Sequence, residues 1–155
     1  MRAALLAIPI LALALCAQAL PQTAPKRKIP CKVPENASEC YWTRGRIRED
    51  NGTPAYRMWK VGTNRLLGIY SGPSTYNDPL SLDNENPEFP ANVEKIWTSR
   101  LGADLYGDFE VCPLAPEHPG AMRPVCVESA KNLFVDRSAQ CRTGFPVGAC
   151  LQNSQ

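Results

Sequence analysis

Polar and apolar residues alternate twice between Tyr41 and Val61, on either side of one interruption. Tyr41 to Glu49 alternates, Asp50-Asn51-Gly52-Thr53 breaks the pattern, and Ala55 to Val61 alternates again. Period-two alternation predicts strands with one buried face. Asn-Gly between two such runs predicts a hairpin, because both central residues tolerate positive φ. Gly62-Thr63-Asn64 marks a second turn, and Arg65 to Tyr70 reads as a third strand. Residues 71–90 lose the period; they form a long polar loop holding Asp78, Asp83, Glu85 and Glu88 and no basic residue. From Pro90 the spacing becomes helical, with Val93, Ile96, Trp97 and Leu101 on one side and Gly102 suited to end the helix. Ala103 to Cys112 alternates once more, Leu105, Phe109 and Val111 against Tyr106, Asp108 and Glu110. A proline-rich turn covers 113–121. A fifth strand runs from Arg123 to Glu128 and, after a bulge, from Asn132 to Asp136.

Three strands, a loop with a helix, and two further strands make an order that resembles the OB-fold, a small Greek-key barrel. The resemblance covers residues 41–136, is one of topology, and rests on no signature motif. It implies a mainly β domain with one helix, closed as a five-stranded OB-like barrel. An open antiparallel sheet packed by one helix is the alternative.

The N-terminus obeys a different pattern. Arg2 is followed by an apolar run from Ala3 to Leu15, and Ala17-Gln18-Ala19 offers small residues at the positions a signal peptidase reads. Residues 1–19 are therefore read as an export signal, with cleavage before Leu20. The run is too short for a membrane span, and Pro9 interrupts it. Cys16 raises a rival reading, a lipid anchor, but Leu15 stands where a lipobox wants a small residue. Residues 20–40 read as an extended lead-in whose Lys26-Arg27-Lys28 is solvated, and 137–155 as an irregular tail. The mature chain is expected to be secreted or periplasmic.

Export changes the meaning of the cysteines. Cys31, Cys40, Cys112, Cys126, Cys141 and Cys150 follow the signal, and in an oxidising compartment they read as structural disulfides. Six cysteines permit fifteen pairings. The simplest is sequential: Cys31–Cys40, Cys112–Cys126 and Cys141–Cys150. No CxxC pair supports a metal or redox site, and no cofactor is expected. The formal charge of +2 is too small for bulk attraction to nucleic acid or membrane.

Chemistry, if any, is expected on the hairpin. A two-residue loop at Asn51-Gly52 sets Arg48 against Ala55, Arg46 against Arg57, Arg44 against Trp59 and Trp42 against Val61. The other face carries Ile47 against Tyr56, Gly45 against Met58 and Thr43 against Lys60; being more apolar at its centre, it is assigned to the core. Trp42, Arg44, Arg46, Arg57 and Trp59 then form an outer candidate binding face. Arg46 beside Arg57 calls for a counter-charge: an anionic ligand, an acidic partner, or the chain's own acidic loop.

No nucleophile elbow, H-E-x-x-H or P-loop is present. The sole histidine, His118, sits in a turn between Glu117 and Pro119. Asp108 and Glu110 share one strand face and are the best carboxylates for a hydrolase. The oxygen-rich run Asp83 to Asn86 lacks EF-hand spacing. Asn36-Ala-Ser38 and Asn51-Gly-Thr53 match the N-glycosylation sequon. The reading is an exported, disulfide-stapled binding module for an anionic ligand, a glycan or an acidic protein, rather than an enzyme. A carboxylate-dependent hydrolase and an envelope structural component are the alternatives. Oligomeric state is not legible.

Overall fold

A computed structural model describes residues 27–78, 80, 81 and 86–138. The expected export signal at 1–19, Lys26, Asp83 to Glu85 and the expected Cys141–Cys150 pair fall outside them. Five strands form a closed barrel in the order β1-β2-β3-β5-β4. They are β1 (Tyr41–Glu49), β2 (Tyr56–Lys60), β3 (Leu66–Ile69), β4 (Asp104–Pro113) and β5 (Arg123–Asp136). β1 pairs antiparallel with both β2 and β4, β4 antiparallel with β5, and β3 parallel with β5. Closure through β1–β4 and β3–β5 removes the sheet edges that the open alternative would leave.

The barrel interior follows from the alternation. Ile47, Met58, Leu105, Phe109, Val111, Val125 and Val127 are fully buried, with Tyr56 and Leu67 nearly so. Gly45 is the small residue that this filling requires. A Cβ there would stand 2.7 Å from Met58 Cγ and Sδ, so Met58 occupies the space a larger residue would take.

The hairpin register differs from expectation by two residues. Arg46 faces Trp59, Ile47 faces Met58, Arg48 faces Arg57 and Glu49 faces Tyr56. The connection is longer than a two-residue turn: Asp50 N–H donates to the Ala55 carbonyl at 2.7 Å, and Thr53–Pro54 is a cis peptide within it. Because side chains alternate with period two, a two-residue slip changes partners but not faces. Gly45, Ile47, Tyr56 and Met58 remain inside. Pro54 folds back over the outer side of the sheet, and its Cγ lies 2.7 Å from where a Cβ of Gly68 would stand.

The helical segment is shorter than its apolar spacing suggests. α1 (Pro73–Tyr76) is an unexpected single turn inside the long loop, and α2 (Ala91–Ile96) ends before Trp97. Trp97 leaves the helix at φ −107° and ψ 57°, and its indole is wholly buried, whereas Leu101 is 61% exposed. Trp97, Tyr56 and Phe89 meet edge to face, with ring centroids 5.5 to 5.8 Å apart. Arg100 lies over all three rings at 5.0 to 5.7 Å. It is ion-paired with Glu94 and donates to Asn86 Oδ1 at 3.0 Å. In the fifth strand, Asn132 takes a φ of 53°, and the register shift between Tyr106 and Asp108 lies opposite it. A second shift, between Glu110 and Val111, lies opposite Glu128, so the two flank the stretch between Glu128 and Asn132 where one bulge is expected.

Two expectations are corrected in the lead-in. Arg27 is not solvated: its guanidinium donates to the carbonyls of Val127, Ser71 (2.7 Å) and Glu88 (2.9 Å). The Glu88 carboxylate in turn accepts from the backbone N–H groups of Lys28 and Ile29. The acidic loop therefore grips the lead-in. Nor do the cysteines pair sequentially. Cys31 bonds Cys126 and Cys40 bonds Cys112, in place of Cys31–Cys40 and Cys112–Cys126. The reason is topological. Cys112 and Cys126 stand opposite each other on β4 and β5, on the side away from the inward-facing Val111, Val125 and Val127. Residues 31–40 cover that side, and each strand cysteine bonds to one cysteine of the cover. The bridges close loops of 95 and 72 residues. Taken singly, loops of that size are worth about 4–5 kcal/mol in the chain-entropy account. Nesting one inside the other reduces the sum.

Candidate binding face

Period-two geometry on β1 and β2 sets all five sequence-predicted residues on the outer side of the barrel. Trp42 is 47% exposed, faces Glu110 on β4, and carries Lys131 Nζ 4.2 Å from its ring centroid. Arg44 is exposed and stands opposite Asp108, whose carboxylate accepts from Asn132 Nδ2 at 2.6 Å. Among the described residues Arg44 makes no ion pair. Arg46 stacks over Trp59 at 4.7 Å, taking the cross-strand place expected of Arg44. The two-residue slip accounts for the exchange.

The counter-charge comes from a residue that the sequence did not single out. Asp104, at the start of β4 and 7% exposed, accepts from Arg48 Nε at 2.5 Å and Arg48 Nη2 at 2.7 Å. Arg46 Nη1 lies 3.8 Å from the same carboxylate. The bidentate bond holds Arg48 more firmly protonated than a free guanidinium. The neighbouring Ala103 and Leu105 are wholly buried, and nothing in the linear pattern ties Asp104 to β1. Only the β1–β4 pairing, which runs from Tyr41↔Val111 to Ile47↔Leu105, brings it beside Arg48.

Among the described residues, Arg57 makes no ion pair. It faces Arg48 across the strand pair and donates to the Asn51 carbonyl at 3.1 Å. The Nε atoms of Arg57 and of Arg46 are covered and lack a hydrogen-bond partner. Of the acidic loop's described carboxylates, Glu88 is engaged with the lead-in and Asp78 accepts from Leu80 N–H at 3.0 Å.

The carboxylates considered for hydrolysis have separate partners. Glu110 is bridged by Lys32 Nζ at 2.9 Å and Asp108 is held by Asn132. Both face outward on β4 and neither lines a described cavity. A cavity of about 590 Å³ lies elsewhere, between the 31–40 cover, α1 and the β4–β5 connection. Among the sequons, Asn36 is buried with its amide donating to the Cys31 and Pro113 carbonyls, whereas Asn51 is exposed. His118 is an exposed loop residue. No group of acidic, cysteine or histidine side chains suited to a metal occurs among the described residues. Nor is any helix among them long and apolar enough to cross a membrane.

Comparison with known proteins finds no matching family, no similar characterised protein and no similar solved structure. The fold assignment therefore rests on topology alone.

Proposed function

We propose that this protein is an exported, disulfide-stapled binding module whose hairpin face takes an anionic ligand: an acidic glycan or an acidic protein surface. One observation carries the reading. Four arginines, Arg44, Arg46, Arg48 and Arg57, share the outer side of β1 and β2, where the buried carboxylate of Asp104 serves Arg46 and Arg48. Like charges directly across a strand pair are unfavourable by themselves. An anion docked between Arg48 and Arg57, with Arg46 and Arg44 further along β1, would offset that repulsion, and Trp42 and Trp59 add aromatic surface to the same face. OB-type barrels bind through the outer face of the second and third strands and its flanking loops, and β2 belongs to both descriptions.

The compartment narrows the ligand. Export disfavours nucleic acid, and the two bridges agree with an oxidising environment. N-terminal sequencing of the natural product should begin at Leu20.

The binding test uses a sulfated polysaccharide and polyglutamate as probes. The Arg44→Ala, Arg57→Ala double variant is expected to lose about tenfold or more in affinity, the cost of two screened charges. Binding of the wild type should weaken steeply between low and physiological salt. Equal affinity of variant and wild type for both probes would remove this face as the site.

A further inference from the structure

The four described cysteines admit three pairings, and one is made. Cys112 and Cys126 are directly opposite in the β4–β5 ladder, yet each is bonded elsewhere. Cys126 Sγ lies 3.7 Å from the Cys112 carbonyl oxygen. Directly opposed residues of an antiparallel pair have Cα atoms about 4.5–5.5 Å apart, within the roughly 4.4–6.8 Å that a disulfide spans. Above them, the 31–40 segment folds back on itself through Asn36 N–H to Val33 O and Glu39 N–H to Asn36 O. Cys31, Cys112 and Cys126 form one buried cluster, with Cys40 packed against it. The exchange partners are thus already assembled.

Access is unequal. Cys31, Cys112 and Cys126 are at most 1% exposed, whereas Cys40 is partly open to solvent. Attack by an outside thiolate is therefore directed to Cys40 Sγ.

We propose that the Cys40–Cys112 bridge is the entry site for a thiol-catalysed isomerisation to Cys31–Cys40 and Cys112–Cys126. An external thiolate bonds Cys40 Sγ and expels Cys112 as thiolate. Cys112 attacks Cys126 Sγ across the strand pair and expels Cys31. Cys31 then attacks Cys40 of the mixed disulfide and releases the external thiolate unchanged. Two disulfides are present at the start and two at the end, so no net oxidant or reductant is consumed. The co-reactant is a small thiol or a protein of the disulfide-exchange class.

The isomer differs in what it ties down. The observed bonds fix residues 31–40 to both β4 and β5. The alternative bonds close two local loops and leave that cover held by polar contacts, chiefly Asn36 to Pro113 and Glu39 to Arg123. Val33, Asn36 and Glu39 form one wall of the 590 Å³ cavity, and Pro113, Leu114 and Arg123 form another. Exchange leaves the first wall tied to the second by those polar contacts, with no covalent link between the cover and the strands.

The test treats the oxidised protein with substoichiometric reduced glutathione at about pH 8, where thiolate is available. The reaction is quenched by acid and alkylation, and the disulfides are mapped by mass spectrometry without reduction. Cross-linked Cys31–Cys40 and Cys112–Cys126 peptides should appear together, without matching growth of alkylated thiols at these four positions. Hydrogen exchange over 31–40 should rise in the same fraction. Retention of the original bonds, or their loss to free thiols alone, would overturn the proposal. A second arm uses Cys31→Ser, in which the Cys126 thiol faces the Cys40–Cys112 bond and needs no added thiol. Alkylation at Cys40 supports the exchange; alkylation confined to Cys126 refutes it. Should the variant not fold, the glutathione arm decides alone.

Discussion

Arginine meets aromatic rings in two places in this barrel, and the two settings treat the same chemistry in opposite ways. At the end of α2, Arg100 lies over Tyr56, Phe89 and Trp97 with its charge matched by Glu94 and its donors met by Asn86. On the hairpin, Arg46 lies over Trp59, but its Nε has no partner and its carboxylate is shared with Arg48. The first arrangement is a closed unit in that its rings are buried and its charge is paired, although Glu94 is exposed and Trp97 Nε1 has no hydrogen-bond partner. The second is open. Matched charges under cover contribute to holding the fold; unmatched charges at the surface leave interaction energy available to something else.

The sharpest way to break this contrast is to remove the closed unit. Trp97→Ala should cost about 3–5 kcal/mol, the ordinary consequence of emptying a buried aromatic site. Denaturant unfolding monitored by circular dichroism measures it. Arg100→Ala should cost about 1–2 kcal/mol, chiefly through lost stacking on three buried rings, since Glu94 is exposed and still accepts from Phe89 N–H. A change below about 0.5 kcal/mol at Arg100 would make that arginine no more structural than the hairpin set.

Asp104→Asn tests the boundary between the two settings. It removes the charge that serves Arg46 and Arg48, both partly exposed, so the stability loss should be about 1–2 kcal/mol after solvent screening. Binding of a polyanion should tighten in the same variant, because the face gains a net positive charge. Loss of both stability and binding would show that Asp104 shapes the site rather than restraining it.

Alkaline pH probes the aromatic residues without mutation. Burial pushes the Tyr56 phenol above the ordinary tyrosine value, with Arg100 pulling the other way, and burial pushes Tyr70 up as well. A folded-state value above the unfolded one means the folded chain holds its proton longer. The stabilisation is therefore complete below about pH 10, the unfolded tyrosine value, and declines as pH rises through the folded values. Tyrosinate absorbance should show these phenols ionising late and together with unfolding. The smallest effect belongs to Arg44→Ala, which should shift stability by less than about 0.5 kcal/mol while weakening anion binding.

The alternation in the sequence is enough to identify the strands, their order, and which hairpin side faces in. It survives the misjudged loop because face depends only on parity, and Ile47, Tyr56 and Met58 keep theirs. Register is less legible, since Thr53-Pro54 extends a connection that Asn51-Gly52 alone would close. The partner of the arginines is illegible: Asp104 reaches Arg48 only through a strand pairing between residues 56 positions apart. Arg27 is missed for the same reason, its acceptors lying on segments at positions 71, 88 and 127. Disulfide partners follow from which segment covers which strand, and spacing along the chain contains no record of that. α1 left a faint sign, Pro73 at a first helical position with Thr75 Oγ1 accepting from Gly72 N–H at 3.2 Å.

The bond between residues 31 and 126 has a mechanical consequence. It joins the chain just before the first strand to the early part of the last one, so a pull applied at the two ends bypasses everything in between. Strands β1 to β4 would carry almost none of that load. A protease that cuts a single peptide bond within this span likewise leaves both fragments attached. Such a molecule can be nicked once within that span, or tugged at its ends, and remain one covalent unit.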